Sequence, residues 1–215
     1  MRNHFILVEI FDKVALMSKR LICPNCQRPQ KTCLCDVIVC LPCDYTLLIL
    51  QDPTEAKHAL STARLLASSI EGSRLLVGES FDPLSLLGAS WRQECLLVYP
   101  GKNAISPEAV SPRQFKTIVL LDGTWRKVAR LLHLNPWLYE IPCLAISADT
   151  ASQYLIRKAP RADSLSTIEA ATYALNVLHG NNNFDVILGA FHKMIALQIE
   201  AMGASTYAKN YKDRK

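Results

Sequence analysis

Glycine is scarce in this chain: there are eight in 215 residues, and none sits in a Gly-x-Gly-x-x-Gly or Gly-x-x-x-x-Gly-Lys pattern. Without such a loop the backbone has no glycine-rich cradle for a pyrophosphate, so the common dinucleotide and nucleoside-triphosphate readings fall away. His-Glu-x-x-His and Gly-x-Ser-x-Gly are also missing, which removes the helical zinc-peptidase site and the hydrolase nucleophile elbow. No run approaches the roughly 18 consecutive apolar residues of a membrane helix. Phe5-Ile6-Leu7-Val8 is cut short by Glu9 before it forms a signal-peptide core. A cytoplasmic protein without membrane contact is therefore expected. Repeats and low-complexity tracts are absent, and a chain that is half apolar and one-fifth charged has the composition of a folded domain rather than of a disordered one.

Cysteine is the residue in excess. Six of eight fall between Cys23 and Cys43, as Cys23-Pro-Asn-Cys26, Cys33-Leu-Cys35 and Cys40-Leu-Pro-Cys43. In a reducing compartment such pairs read as metal ligands sooner than as disulfides. Two thiolates from one tight turn and two from a returning loop make a tetrahedral four-sulfur site, for which zinc is the natural guest. Cys23, Cys26, Cys33 and Cys35 are the favoured set, with Cys40 and Cys43 as the alternative second pair. A redox Cys-x-x-Cys or a group of buried thiols is the competing explanation. Lys19, Arg20, Arg28 and Lys31 surround the cluster, where they offset thiolate charge or face RNA phosphates. The net charge of +5 points the same way, towards a polyanionic partner, but weakly.

Beyond the cysteines, short apolar runs alternate with helical periodicity. Strands are expected at residues 45–50, 74–78, 95–99, 118–121 and 143–146, and helices at 53–70, 125–134, 166–178 and 184–202. For the first helix Asp52 is the expected cap, with Pro53 in the first turn and Glu55 completing a capping box. Residues 100–116, with two Ser-Pro steps, read as a surface loop. The pattern is that of an α/β layered domain. One strand ends in Asp122-Gly123-Thr124-Trp125-Arg126-Lys127, which delivers a carboxylate, a glycine, a hydroxyl and an indole to the carboxyl end of a sheet, where open α/β folds bind ligands. Gly123 allows close backbone approach, and Trp125 suits an adenine ring or a sulfonium cation. The plainer explanation is that Asp122 or Thr124 only caps the next helix.

These motifs together resemble the DTW-domain family, named for its Asp-x-Thr-Trp signature. The likeness runs over residues 18–205 and rests on the Cys-x-x-Cys and Cys-x-Cys head, Asp52-Pro53-Thr54-Glu55-Ala56-Lys57-His58-Ala59-Leu60, Tyr99-Pro100-Gly101, residues 122–125, Leu155-Ile156-Arg157-Lys158 and Leu165-Ser166-Thr167-Ile168-Glu169-Ala170. In layout it is most similar to the bacterial tRNA-uridine aminocarboxypropyltransferases. The resemblance implies a fold related to the knotted SPOUT methyltransferases, here carrying a small N-terminal zinc-binding cysteine knuckle. Residues 1–17 are expected to be an extension, 18–44 the knuckle and 45–215 the catalytic domain. The implied reaction moves the 3-amino-3-carboxypropyl group of S-adenosylmethionine onto a tRNA uridine. A departure stands at Asp52-Pro53, where the resemblance leads one to expect His-Pro.

Roles follow from chemistry. The uracil imide nitrogen needs deprotonation, and Asp122 is the expected base. Ser166, Thr167 and the start of their helix suit the cofactor carboxylate, and Glu169 its ammonium, although Ser-x-x-Glu is equally a plain capping box. With Gly123, Thr124 and Trp125 these form the expected cofactor set. Arg126, Lys127, Arg157 and Lys158 are the expected RNA contacts, joined by Arg130, Arg161 and the basic, tyrosine-bearing tail from Tyr207 to Lys215. A SPOUT-type methyltransferase and a non-catalytic zinc-containing RNA-binding module are the alternative functions.

Overall fold

The computed structural model describes residues 21–101, 104–111, 114–145 and 165–207. Its centre is a five-stranded, wholly parallel sheet of β1 (Thr46–Gln51), β2 (Arg74–Val77), β3 (Cys95–Val98), β4 (Thr117–Asp122) and β5 (Cys143–Leu144), in the order β2-β1-β4-β3-β5. The helices are α1 (Thr62–Ala67), α2 (Pro83–Leu87), α3 (Trp91–Glu94), α4 (Trp125–Leu134), α5 (Thr167–His179), α6 (Leu188–Met202) and α7 (Ala204–Tyr207). None of the described helices is long and apolar enough to cross a membrane.

The strands read as near-continuous apolar runs because the sheet is covered on both faces, as parallel sheets require. Alternate residues serve opposite cores. Leu47, Ile49, Leu96, Ile118 and Leu120 pack with α1, α5 and α6, whereas Leu48, Leu50, Leu97 and Val119 pack with Val128 and Leu132 of α4 and with Trp91 and Trp137. Each such buried leucine or isoleucine is worth about 1.5–3 kcal/mol of transfer free energy.

Several stretches fold in ways the sequence pattern did not announce; the helix expected over 184–202, for one, begins as a 3-10 turn, Asn183–Ile187, before α6. The helix expected over 53–70 is a turn at residues 52–54, a 3-10 turn Glu55–Lys57 and only then α1. The reason is competition for its backbone: His58 Nδ1 accepts the Leu60 amide, while Arg64 and Arg28 donate to the carbonyls of Ala56 and Ala59. Asp52 caps no helix here: its carboxylate closes a local turn by accepting the amide and hydroxyl of Thr54, and Glu55 pairs with Lys127 instead of completing a capping box. The 100–116 stretch is tied to the sheet edge, because Ile105 donates to Cys143 and accepts from Ala145, and Phe115 is buried. The cysteine segment, finally, shares the main core: Leu34 is fully buried against the α5 and α6 side of the sheet, and Asp36 pairs with Lys193 of α6.

Candidate active site and metal centre

Parallel pairing places Gln51 at the end of β1 directly beside Asp122 at the end of β4, so the carboxyl edge of the sheet carries two polar side chains among apolar neighbours. Both are buried. Burial obliges each polar atom to find a partner, and the partners found are specific. The Gln51 amide donates one N–H to Asp122 Oδ2 at 2.8 Å and the other to Ser61 Oγ at 2.9 Å. Thr167 Oγ1, on the first residue of α5, donates to Asp122 Oδ1 at 2.5 Å. Two donors aimed at two carboxylate oxygens suit the ionised form.

Next to it, burial opposes ionisation of Asp52, but the Thr54 hydrogen bonds and the charges of Lys127 and Arg130 outweigh that effect and hold its carboxyl below the usual range. The Asp52 amide in turn donates to the Asp122 carbonyl. A Cβ on Gly123 would lie 3.1 Å from Lys127 Cβ and 3.7 Å from Asp52 Cβ. Gly123 thus lets the Asp52 loop close onto the first turn of α4.

Neither Asp122 nor Thr124 caps α4. Thr124 occupies the N-cap position with no side-chain hydrogen bond to the helix, and its exposed side chain faces away from that duty. Trp125 is half-buried, with its ring 6.4 Å from that of Tyr99. Arg126 is exposed, whereas Lys127 pairs with Glu55 at 2.7 Å and Arg130 with Glu79 at 2.9 Å. At the start of α5, Ser166 and Glu169 form a complete capping box: Glu169 Oε2 accepts the Ser166 amide at 2.7 Å and its hydroxyl at 2.6 Å, while Ser166 Oγ accepts the Glu169 amide.

The cysteines converge elsewhere. A short hairpin, closed by an Ile22–Pro29 bridge and a turn in which the Gln27 amide donates to the Cys23 carbonyl, presents Cys23 and Cys26. The 3-10 turn Gln30–Thr32 then brings round Cys33 and Cys35, and the four sulfurs lie within 4.8 Å of one another. Cys23 Sγ is 3.5 Å from Cys35 Sγ, and Cys26 Sγ is 3.7 Å from Cys33 Sγ. Four thiolates around zinc at about 2.3 Å have sulfur–sulfur edges of about 3.8 Å, so the donor set and spacing fit that ion. Backbone amides of Cys26 and Asn25 pull the Cys23 thiol down to about 6, and the facing thiols of Cys23 and Cys33 push Cys35 up to about 12. Four sulfurs this close ionise together only around a cation. Cys43 lies apart from them, 3.9 Å from His179 Nε2.

With this geometry established, comparison with known proteins gives a direct result: the DTW domain matches residues 20–199. The chain belongs to the DTW-domain family. Its similarity to mouse tRNA-uridine aminocarboxypropyltransferase 2 is 31% identity over 205 residues, covering 90% of this chain and 68% of the mouse protein. The Macaca fascicularis protein of the same name is 30% identical over 194 residues, with 85% and 65% covered. Arabidopsis tRNA-uridine aminocarboxypropyltransferase A is 25% identical over 246 residues, with 96% and 89% covered. The chain spans about two thirds of the length of the two mammalian relatives. These relatives are animal and plant proteins rather than the bacterial ones its layout suggested. No solved structure matches.

The DTW signature, residues 122–125, thus sits at the carboxyl end of a central strand, and the fold brings it to Thr167, Ser166 and Glu169 across a sequence gap of more than forty residues. Arg157, Lys158 and Arg161 lie outside the described residues, as do the tail cations from Lys209 onward and Lys19 and Arg20. Sequence reasoning missed Gln51 and Ser61 as members of the site. The available signal was a glutamine closing an otherwise apolar strand.

Proposed function

We propose that this DTW-domain protein is a transferase that moves the 3-amino-3-carboxypropyl group of S-adenosylmethionine to the ring nitrogen of a uridine in tRNA. The observation that carries the reading is a set of relatives named for that reaction, similar over 85–96% of the chain. In the reaction the uracil nitrogen loses its proton to a base, and the nitrogen–carbon bond forms as the carbon–sulfonium bond breaks. Its electron pair stays on sulfur and gives 5′-methylthioadenosine. Asp122 is the base in this reading, its ionised form held by Gln51 and Thr167. Gly123, Thr124 and Trp125 border the cofactor, with the indole against its adenine or sulfonium.

The amino end of α5, with Ser166, Thr167 and Glu169, faces the methionine arm. Ser166 and Glu169 contribute by fixing that helix start as well as by contact. Arg126, Lys127, Arg157 and Lys158 serve the RNA. Zinc held by Cys23, Cys26, Cys33 and Cys35 is structural and fixes the hairpin that leads into the core. We further infer, from the family resemblance, a SPOUT-like, knotted chain path, a division into extension 1–17, knuckle 18–44 and catalytic domain 45–215, and a cytoplasmic setting consistent with reduced thiols.

All three carbons on the sulfonium are electrophilic, so positioning selects the product: the attacked carbon must sit roughly 3–3.5 Å from the nitrogen with the methyl turned away. The deciding experiment incubates the protein with unmodified tRNA and cofactor labelled in either the carboxyl or the methyl position. Carboxyl label is expected in RNA, matched by 5′-methylthioadenosine. Methyl label in RNA, with S-adenosylhomocysteine released, would replace this reading with a methyltransferase.

A further inference from the structure

A cleft of about 360 Å³ opens between the cysteine hairpin and the loop after β1, and the function above does not use it. Its walls carry Gln27 and Arg28 from the hairpin, Lys57, His58 and Ser61 from the loop, and Arg64 from α1. Three of these six are cations, and no carboxylate lines the cleft among the described residues. On α4, by contrast, two of the three Lys and Arg side chains, Lys127 and Arg130, each share a carboxylate, Glu55 and Glu79. A second hollow, of about 270 Å³, shares Cys26, Ile38 and Ser68 with it and extends the groove across the hairpin towards Cys35.

The polar groups in the cleft are set as donors. His58 is exposed and its Nδ1 accepts the Leu60 amide, which leaves Nε2 as the ring's donor. Arg64 is exposed and anchors one Nη on the Ala56 carbonyl at 3.1 Å, and Lys57 is exposed with no ion pair among the described residues. Gln27 holds a left-handed backbone at φ 56°, a conformation that favours glycine. That conformation belongs to the tight turn that presents Cys23 and Cys26 and forms one wall of the cleft. The cleft also adjoins the chemistry, since Ser61 lines it and accepts from the amide that holds Asp122.

We propose that this groove seats the phosphodiester backbone of the tRNA beside the target uridine, with Lys57 and Arg64 on phosphates and His58 donating through Nε2. The assignment rests on the tRNA reading above. Each phosphate contact contributes about 0.7–0.9 to the slope of log affinity against log salt. Loss of two in a Lys57→Gln, Arg64→Gln variant should lower the slope by roughly 1.4–1.8 and weaken binding on the order of 10–30-fold at about 0.15 M salt.

The test measures tRNA anisotropy across a salt series for wild type, for this variant and for Lys57→Arg, with thermal unfolding to verify folding. The double variant should show the reduced slope, a raised KM for tRNA and unaltered cofactor affinity, and Lys57→Arg should keep the wild-type slope. As a control, Arg92→Gln with Lys116→Gln removes two cations already paired with Glu140 and Glu94 and should bind like wild type. A folded double variant with wild-type slope and affinity, in a protein whose wild type still transfers carboxyl label, would overturn the groove alone. Wild type that neither binds nor labels tRNA would overturn the function beneath it, and the groove with it.

Discussion

Replacing Asp122 by Asn tests whether the carboxylate reacts or only holds the sheet edge together. The amide keeps the shape, and it can keep the hydrogen bonds to Gln51 and Thr167: its oxygen accepts from Gln51 Nε2, and its NH₂ donates to the Thr167 hydroxyl, which rotates to receive it. What is lost is charge. Hydrogen bonds to charged groups are worth about 1.5–3 kcal/mol and neutral ones about 0.5–1.5, so two downgraded bonds remove up to about 2–3 kcal/mol, offset by no longer burying an anion. A chain of this size shifts by about 2–4 °C in Tm per kcal/mol, so the variant should still melt cooperatively, within about 10 °C of wild type. Loss of a general base slows reaction by about 10²–10⁴-fold, or about 2.7–5.4 kcal/mol in barrier. Single-turnover transfer of carboxyl-labelled cofactor to tRNA, with cofactor affinity measured separately, therefore separates the roles: affinity within a few-fold, transfer down at least a hundredfold. Thr167→Ala, which removes one hydrogen bond and keeps the carboxylate, should slow transfer by only about tenfold. Transfer by a folded Asp122→Asn protein at more than one-tenth of the wild-type rate would refute the reasoning.

Purified protein should carry about one zinc, and a Cys23→Ser, Cys33→Ser variant should lose it along with local stability, since binding in zinc-finger peptides releases about 10–16 kcal/mol; elemental analysis finding full metal in that variant would contradict the site. Gln27→Gly should raise the urea midpoint by the equivalent of about 0.5–1 kcal/mol, because relief of left-handed strain exceeds the added flexibility of the unfolded chain. Thr172→Val should stabilise by about 1 kcal/mol, because the buried Thr172 hydroxyl has no hydrogen-bond partner among the described residues; a fall in Tm would show that the hydroxyl is bonded.

The strands were legible because each is an apolar run long enough to cross a doubly covered sheet, and all five lie within two residues of their expected bounds. The helix beginning at Trp125 and the one beginning at Thr167 were legible from period and capping residues. What the pattern hid was competition: the periodic apolar residues of 53–70 coexist with His58, Arg28 and Arg64, whose side chains take the backbone groups that a helix would use. Helices α2 and α3, of five and four residues, are too short for a periodic signal. In the site, Asp122 was visible from its motif. Its holders Gln51 and Thr167 stand 71 and 45 residues away, and only pairing of β1 with β4 and the return of α5 bring them together. The hydrogen bond from the Thr167 hydroxyl to Asp122 had no signal in the sequence.

The burial of Leu34 and the pairing of Asp36 with Lys193, 157 residues apart, bear on the order in which the molecule can be made. At about 5–20 residues per second, translation leaves the cysteine segment outside the ribosome for roughly 8–30 seconds before the helix that receives it exists. During that interval four closely spaced thiols are open to oxidation and to one another. Early capture of metal would protect them, so zinc supply during synthesis, rather than after it, is expected to set the yield of correctly assembled protein.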